Sequence, residues 1–256
     1  MLEKIKIILE NAYEKFHRFE FLTEDPLQIP HRFHRLQDQE IMGFLAATLA
    51  WGQRKTIIKK CEEIISLFDG APYEFVLHHT KQDIKRLESF QHRTFNGTDL
   101  IYFVTWLSGY YRQHNSLEDT FARHLQINST DVSAALVGFH RDFFSLPFAP
   151  ARTRKHIATP ERKSTCKRLN MLLRWFVRNG DVDLGIWKKI SPSQLICPLD
   201  VHTERTARFL GLLTRKRTDW LAALELTQNL RLLDAQDPVK YDFALFGLSI
   251  ERHFIF

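Results

Sequence analysis

An all-α fold is the class this sequence predicts, on three observations. Apolar residues recur at the three-to-four-residue spacing of amphipathic helices through most of the 256 positions, alternating strand patterns are rare, and only ten glycines are present. Twenty-one phenylalanines supply much of the volume for a core. A chain of this length buries a substantial core, either as one large domain or as two small lobes.

The first element, residues 2–18, sets Leu2, Ile5, Ile8, Leu9, Ala12, Tyr13 and Phe16 on one stripe. Asp25-Pro26 and Ile29-Pro30 break it. Two helices follow. Ile41, Phe44, Leu45, Thr48 and Leu49 mark the face of one, and Ile57, Ile58, Cys61, Ile64, Ile65 and Phe68 that of the other. Between them Trp51-Gly52-Gln53-Arg54-Lys55 makes a polar, basic corner holding one amide and one large ring. Beyond the turn Asp69-Gly70-Ala71-Pro72, short helices are expected near 73–78 and 81–88. The loop 90–100 caps a helix running to about Arg112, with Leu100, Phe103, Val104, Leu107 and Tyr111 inside. Residues 116–126 and 130–145 read as two more amphipathic helices.

Residues 145–160 form the one long Pro-rich loop, and it carries Arg152, Arg154, Lys155 and His156. Loops of that length in compact domains are usually functional or disordered. It leads to a helix start at Lys167, and further helices are expected near 201–210, 218–232 and 238–250. The last opens at Asp237-Pro238, where proline suits the first helical turn. The periodicity thus gives about ten or more short helices and no convincing sheet.

Composition narrows the classes of function. No apolar run approaches the ~20 residues of a membrane span. The N-terminus MLEKIKIILENAYEKF carries acids at helical spacing and does not read as a signal peptide, so a cytoplasmic protein is expected. Three cysteines, Cys61, Cys166 and Cys197, are widely separated and offer neither a disulfide framework nor a Cys-x-x-Cys metal site. The paired histidines His31/His34 and His78/His79 lack the partners a zinc site needs, so neither metal nor cofactor is expected. The formal net charge is +6, yet residues 151–220 alone hold sixteen Lys/Arg against six Asp/Glu. A basic segment on a slightly acidic body suits a polyanion, although a solvated helical face has the same composition.

The most specific stretch lies within 163–211. In STCKRLNMLLRWFVR, Lys167 stands among Ser, Thr and Cys at a helix start, and in CPLDVHTERTARFLGL, Asp200 opens another helix. Asp200 suits an N-cap, because its carboxylate can accept the unpaired amide protons of the first turn. The helix dipole at such a terminus disfavours an ammonium and favours a carboxylate, which is the setting a nucleophilic lysine needs.

The order A-W-G-Q between early helices, a lysine at a later helix start, and then PLDVHTERTARFLGL resembles the helix-hairpin-helix DNA glycosylase superfamily, the endonuclease-III-like enzymes. In that family an aspartate stands in a V-D-T-H-V-x-R-x-x-x-R-L-G-L context. The segments KRLNMLLRWFVR, ICPLDVHT and DPVKYDFALFGL further resemble a bacterial branch of conserved hypothetical proteins. The resemblance spans roughly residues 38–250 and is sharp around Asp200. It implies a two-lobed helical fold with a cleft between the lobes, the central lobe at 30–185 and the second at 1–29 plus 186–256. It also implies base flipping on double-stranded DNA that holds a damaged base or abasic site, in a bacterial cytoplasm in association with the nucleoid, by a monomer with no membrane partner.

Residue by residue, the resemblance makes Asp200 the catalytic carboxylate, Lys167 the Schiff-base lysine, and Gln53 the glutamine inserted beside the extruded nucleotide. Trp51 is a candidate to stack on DNA, and Arg152, Lys155, Arg168, Arg174 and Arg178 are candidates for phosphate contact. For Gln53 a helix-capping amide, and for Trp51 a core ring, remain the plainer readings. Two features depart from the family. Its hairpin reads L-P-G-V-G-x-K, whereas this chain has Glu161-Arg162-Lys163-Ser164-Thr165-Cys166-Lys167 with no glycine, so Ser164 and Thr165 hydroxyls are the candidate replacements. The 33 positions from Lys167 to Asp200 are longer than in most members and are similar to the archaeal 8-oxoguanine glycosylases. The iron–sulfur cysteines of endonuclease III are absent, so no cluster is expected. The expected activity is a DNA glycosylase with abasic-site lyase chemistry, with 8-oxoguanine a candidate substrate; the alternative is a glycosylase-like protein that binds DNA or RNA without catalysis.

Overall fold

Helix α1 (Leu2–Phe16) opens a computed structural model that describes residues 2–251. The chain then runs through α2 (Gln28–His31), α3 (Leu36–Leu49), α4 (Arg54–Leu67), α5 (Pro72–His78), α6 (Lys81–Leu87), α7 (Gly97–Tyr111), α8 (Glu118–Ala122) and α9 (Ser133–Phe143). It ends in α10 (Lys167–Val177), α11 (Val201–Phe209), α12 (Trp220–Arg231) and α13 (Tyr241–Ile250). The protein is all-α, as its periodicity predicts. The one sheet among the described residues is a hairpin of two-residue strands, Gln91–His92 paired antiparallel with Phe95–Asn96. It is too short to leave an alternating signature.

The described chain divides into two compact units. One comprises residues 23–124 and 138–157; the other comprises residues up to 22, 125–137 and 158 onward. The boundaries therefore differ from the expected lobes, since 158–185 joins the terminal segments and not residues 30–157. In the unit with the terminal segments, α10 buries Leu169, Leu172, Leu173, Trp175 and Phe176, and its Arg174 and Arg178 find their carboxylates at Asp183, Asp237 and Asp242.

In the 23–157 unit, α3 is buried on every side from Glu40 to Leu49, which is what an almost uniformly apolar helix requires. Around it Phe44, Phe103, Phe139 and Phe143 form a ring cluster, with centroids 4.8–5.8 Å apart and mostly edge to face. The single charge in α3's buried stretch is satisfied. Glu40 accepts from Tyr111 Oη (2.8 Å), Ser116 Oγ and the amide of Leu117 (3.0 Å).

In the other unit, α13 packs against α1 and α11. Gly247 lets α1 approach, because a Cβ there would lie 2.2 Å from the Phe16 ring. Helix α11 is pinned to α13 by polar side chains at helical spacing. His202 Nδ1 lies 3.3 Å from Ser249 Oγ, Thr203 Oγ1 donates to Asp242, and Thr206 Oγ1 donates to the carbonyl of Leu245 at 2.8 Å. These bonds fix the start of α11, and so the position of Asp200.

Candidate functional site

Lys167 is the first residue of α10, as its sequence context predicts. The turn before it is tight without glycine, for Lys163 (φ 60°) and Cys166 (φ 52°) both take the left-handed conformation that L side chains rarely adopt. Neighbouring bonds hold the turn. Lys163 O accepts from the amide of Trp220 at 3.2 Å, Cys166 N donates to Ser164 Oγ at 3.2 Å, and Asn170 Nδ2 donates to Thr165 O at 3.0 Å. The Ser164 hydroxyl, a candidate for gripping phosphate, is thus engaged with the turn's own backbone.

Asp200 is the N-cap of α11 and does what a cap does: Oδ1 accepts the amides of His202 and Thr203, each at 2.9 Å. Its second oxygen has another partner. Oδ2 lies 3.5 Å from Lys167 Nζ, and the two side chains are 22% and 30% exposed. The plain reading of Asp200 and the chemical one therefore hold together, one oxygen to each. Both groups reach solvent, so the pair is partly hydrated and accessible to a reagent.

Behind the pair sits a carboxylate that a sequence reading misses. Asp242, in the first turn of α13, is buried. Its Oδ1 accepts from Thr203 Oγ1 at 3.3 Å and its Oδ2 from Arg174. Burial, reinforced by the charge of Asp200, pushes its carboxyl up to about 6 against the opposing pull of Arg174 and Lys167. Arg174 also stands 3.4 Å from buried Asp183 and lies over the Phe243 ring at 4.1 Å. Arg178 pairs with Asp183 and, through two nitrogens, with Asp237 at 2.8 Å. The result is a run of charges inward from Lys167 that ends in a buried ionic network.

That network corrects two expectations. Arg174 and Arg178 are buried and bound to carboxylates, so they hold helices together and do not present their guanidinia to a phosphate. Arg168 is half-buried, and burial pushes its guanidinium down to about 10. The exposed cations flanking the pair in sequence are instead Arg162, Lys163 and Arg205. Cys166, beside Lys167, is buried, and burial pushes its thiol up to about 12. It packs as a small apolar residue with no thiolate to offer.

Gln53, Trp51, Arg152 and Lys155 belong to the other unit. Gln53 is exposed at the N-cap position of α4 with no side-chain capping bond, so the capping-amide reading does not hold. Trp51 is half-buried, its ring 4.9 Å from that of His92 and stacked at 5.8 Å on that of His156. His156 in turn lies 3.3 Å from Asp99, and Arg152 donates to Asp99 at 2.5 Å, to Asn96 and to the carbonyl of Thr94 at 3.0 Å. Arg152 thus anchors its loop onto a buried carboxylate while itself remaining exposed. Lys155 is exposed. Trp51 and Arg152 meet in one cluster through His156 and Asp99, a connection that 100 intervening residues hide from any motif.

Among the described residues no group of three or more His, Cys, Asp or Glu side chains is arranged to hold a metal ion, and no helix is long and apolar enough to cross a membrane. No curated protein and no solved structure matches the chain. The family model described as Protein of unknown function (DUF2400) matches residues 25–251, and the chain belongs to that family.

Proposed function

We propose that this protein is a DNA repair glycosylase with abasic-site lyase activity, using Lys167 as nucleophile and Asp200 as its proton acceptor. The observation that carries the reading is the 3.5 Å approach of Lys167 Nζ to the non-capping oxygen of Asp200, with both side chains partly exposed at helix N-termini. An amine and a carboxylate at ion-pair range, once they close to hydrogen-bonding distance, can generate a nucleophile by local proton transfer.

In the chemistry this allows, the ammonium proton passes from Nζ to Asp200 Oδ2 and the freed lone pair attacks C1′ of an extruded nucleoside. The glycosidic C–N bond breaks and its electron pair leaves with the base, which takes up a proton. Opening of the sugar ring gives the imine, and β-elimination then breaks the strand on the 3′ side. Asp200, once ionised again, stabilises positive charge on the sugar. Exposed Arg162, Lys163 and Arg205 are the cations suited to phosphate contact. Damaged purines such as 8-oxoguanine are the proposed substrates, on the similarity of the 33-position Lys167-to-Asp200 spacing to the archaeal 8-oxoguanine glycosylases.

Incubation with abasic-site duplex and borohydride tests the reading. A covalent adduct is expected with the wild type and none with Lys167→Ala. Equal trapping by both removes Lys167 from the role. Salt-sensitive duplex binding with no adduct and no base release across a lesion panel selects the alternative, a glycosylase-like binding protein without catalysis.

A further inference from the structure

Between α11 and α12 the segment Thr214-Arg215-Lys216-Arg217-Thr218 carries three consecutive cations that the chemistry above does not use. A charged connection of that kind is ordinarily mobile, solvated surface. Here side chains hold its backbone in one shape. Glu225 accepts from the amide and the hydroxyl of Thr214, each at 2.6 Å, and from the amide of Arg215 at 3.3 Å. Arg208 donates to the carbonyl of Lys216 at 3.3 Å, and the Thr218 hydroxyl donates to Glu204 at 2.7 Å. Arg215 pairs through two nitrogens with Asp219, which also caps α12 by accepting the amide of Ala222 at 3.2 Å.

The acids that touch this loop are thus taken up by its backbone, its hydroxyls and Arg215. Lys216 is exposed and meets no carboxylate among the described residues. Arg217 is 69% exposed and stands 3.7 Å from an Asp219 already paired with Arg215, a setting in which an ion pair contributes little. The loop therefore holds two cations outward from a fixed backbone, and groups set in place beforehand lose less freedom on binding. Its position is fixed as well. The amide of Trp220 donates to the carbonyl of Lys163 at 3.2 Å, which seats the loop's end against the left-handed turn before Lys167. Arg162 and Lys163 of that turn are likewise exposed, with no carboxylate partner among the described residues. Chain length keeps Arg217 within about 11 Å of Trp220, and Lys167 within about 14 Å of Lys163. All four cations consequently lie within roughly one helical turn of duplex, about 34 Å, of the amine.

Resting on the reading of this protein as a DNA repair enzyme, we propose that the 214–218 loop is a phosphate grip, in which Lys216 and Arg217 bind the sugar–phosphate backbone of the duplex alongside Arg162 and Lys163. Such a grip touches no base edge, so it adds affinity and salt dependence without choosing the lesion.

The experiment is fluorescence anisotropy of the full chain with a labelled duplex, intact or holding a stable abasic-site analogue, at salt from about 50 to 200 mM. The variant Lys216→Ala/Arg217→Ala is expected to lower the slope of log Kobs against log salt by about 2, one for each lost contact. Its binding weakens on the order of 10-fold or more at about 0.1 M salt, alike on both duplexes. The charge-matched variant Lys4→Ala/Lys6→Ala on α1 keeps the wild-type slope. An unchanged slope in the loop variant, an equal loss in both variants, or no duplex binding by the wild type overturns the proposal. So does a loop variant that binds duplex normally but loses binding to a polyglutamate peptide, which assigns the loop to an acidic protein. Borohydride trapping by the wild type is scored separately. An adduct with no slope change in the loop variant removes the grip and leaves the lysine chemistry standing. A lowered slope with no wild-type adduct keeps the grip and removes the chemistry.

Discussion

Asp200 splits its two oxygens between a structural duty and a chemical one: Oδ1 accepts the amides of His202 and Thr203, while Oδ2 faces Lys167 Nζ at 3.5 Å. Substitutions can separate these duties. Asp200→Asn keeps a capping oxygen and is expected to unfold within about 0.5 kcal/mol of the wild type, whereas Asp200→Ala loses about 0.5–2 kcal/mol. Under the glycosylase reading both lose borohydride trapping by on the order of 100-fold, the contribution of a positioned acid–base group. Thermal melts beside trapping assays check this. Equal melting of all three proteins contradicts the capping assignment, and undiminished trapping by Asp200→Asn contradicts the chemical one.

Arg174 is the second point at which the network can be tested. Its removal leaves buried Asp242 without its ion-pair partner, while buried Asp183 keeps Arg178. Breaking a buried ion pair by deleting one partner typically costs about 3–5 kcal/mol. Arg174→Met should fall in that range by urea unfolding, while Arg162→Ala, exposed, stays within about 0.5 kcal/mol. A small effect at Arg174 would return it to the surface role that its charge first suggests.

Helix starts were legible in this sequence, and what binds them together was not. Lys167 and Asp200 announce themselves locally, one after a Ser-Thr-Cys turn and one as an N-cap, and each stands where its neighbours require. Asp242 carries the same local signal, an acid in a helix's first turn, and so reads as routine. Its burial comes from α13 packing on α1 and α11, which no window around residue 242 contains. Arg174 and Arg178 were legible as cations on a helix but not as buried ones, because their partners stand up to 68 positions away. The left-handed turn at Lys163 and Cys166 was hidden for a different reason: the residues that usually mark such a conformation are absent there.

Gln53 offers a test in the other unit. It is exposed and makes no capping bond, so Gln53→Ala should leave stability within about 0.5 kcal/mol of the wild type. If this amide enters the duplex beside an extruded nucleotide, the same variant binds abasic duplex more weakly, with unchanged salt dependence because no phosphate contact is lost. Gel retardation across a salt series reads both quantities. Binding equal to the wild type at every salt concentration removes Gln53 from the interface.

The titration of Asp242 gives a prediction about stability alone. Its carboxyl rises from an unfolded value of about 3.9 to about 6 in the folded protein, because burial and the charge of Asp200 outweigh the attraction of Arg174. A carboxyl raised on folding contributes its full stabilisation below the unfolded value and loses it as pH rises through the folded one. The wild type should therefore lose on the order of 3 kcal/mol relative to Asp242→Asn between about pH 4 and pH 7. Asp99, Asp219 and Asp234, held below the usual carboxylate range by their hydrogen bonds and ion pairs, titrate in the opposite sense. They are present in both proteins and cancel in the comparison. Urea unfolding of the pair at half-unit steps measures the difference directly. A difference that stays flat across that window means Asp242 is fully ionised in its buried site throughout, held there by Arg174 against desolvation.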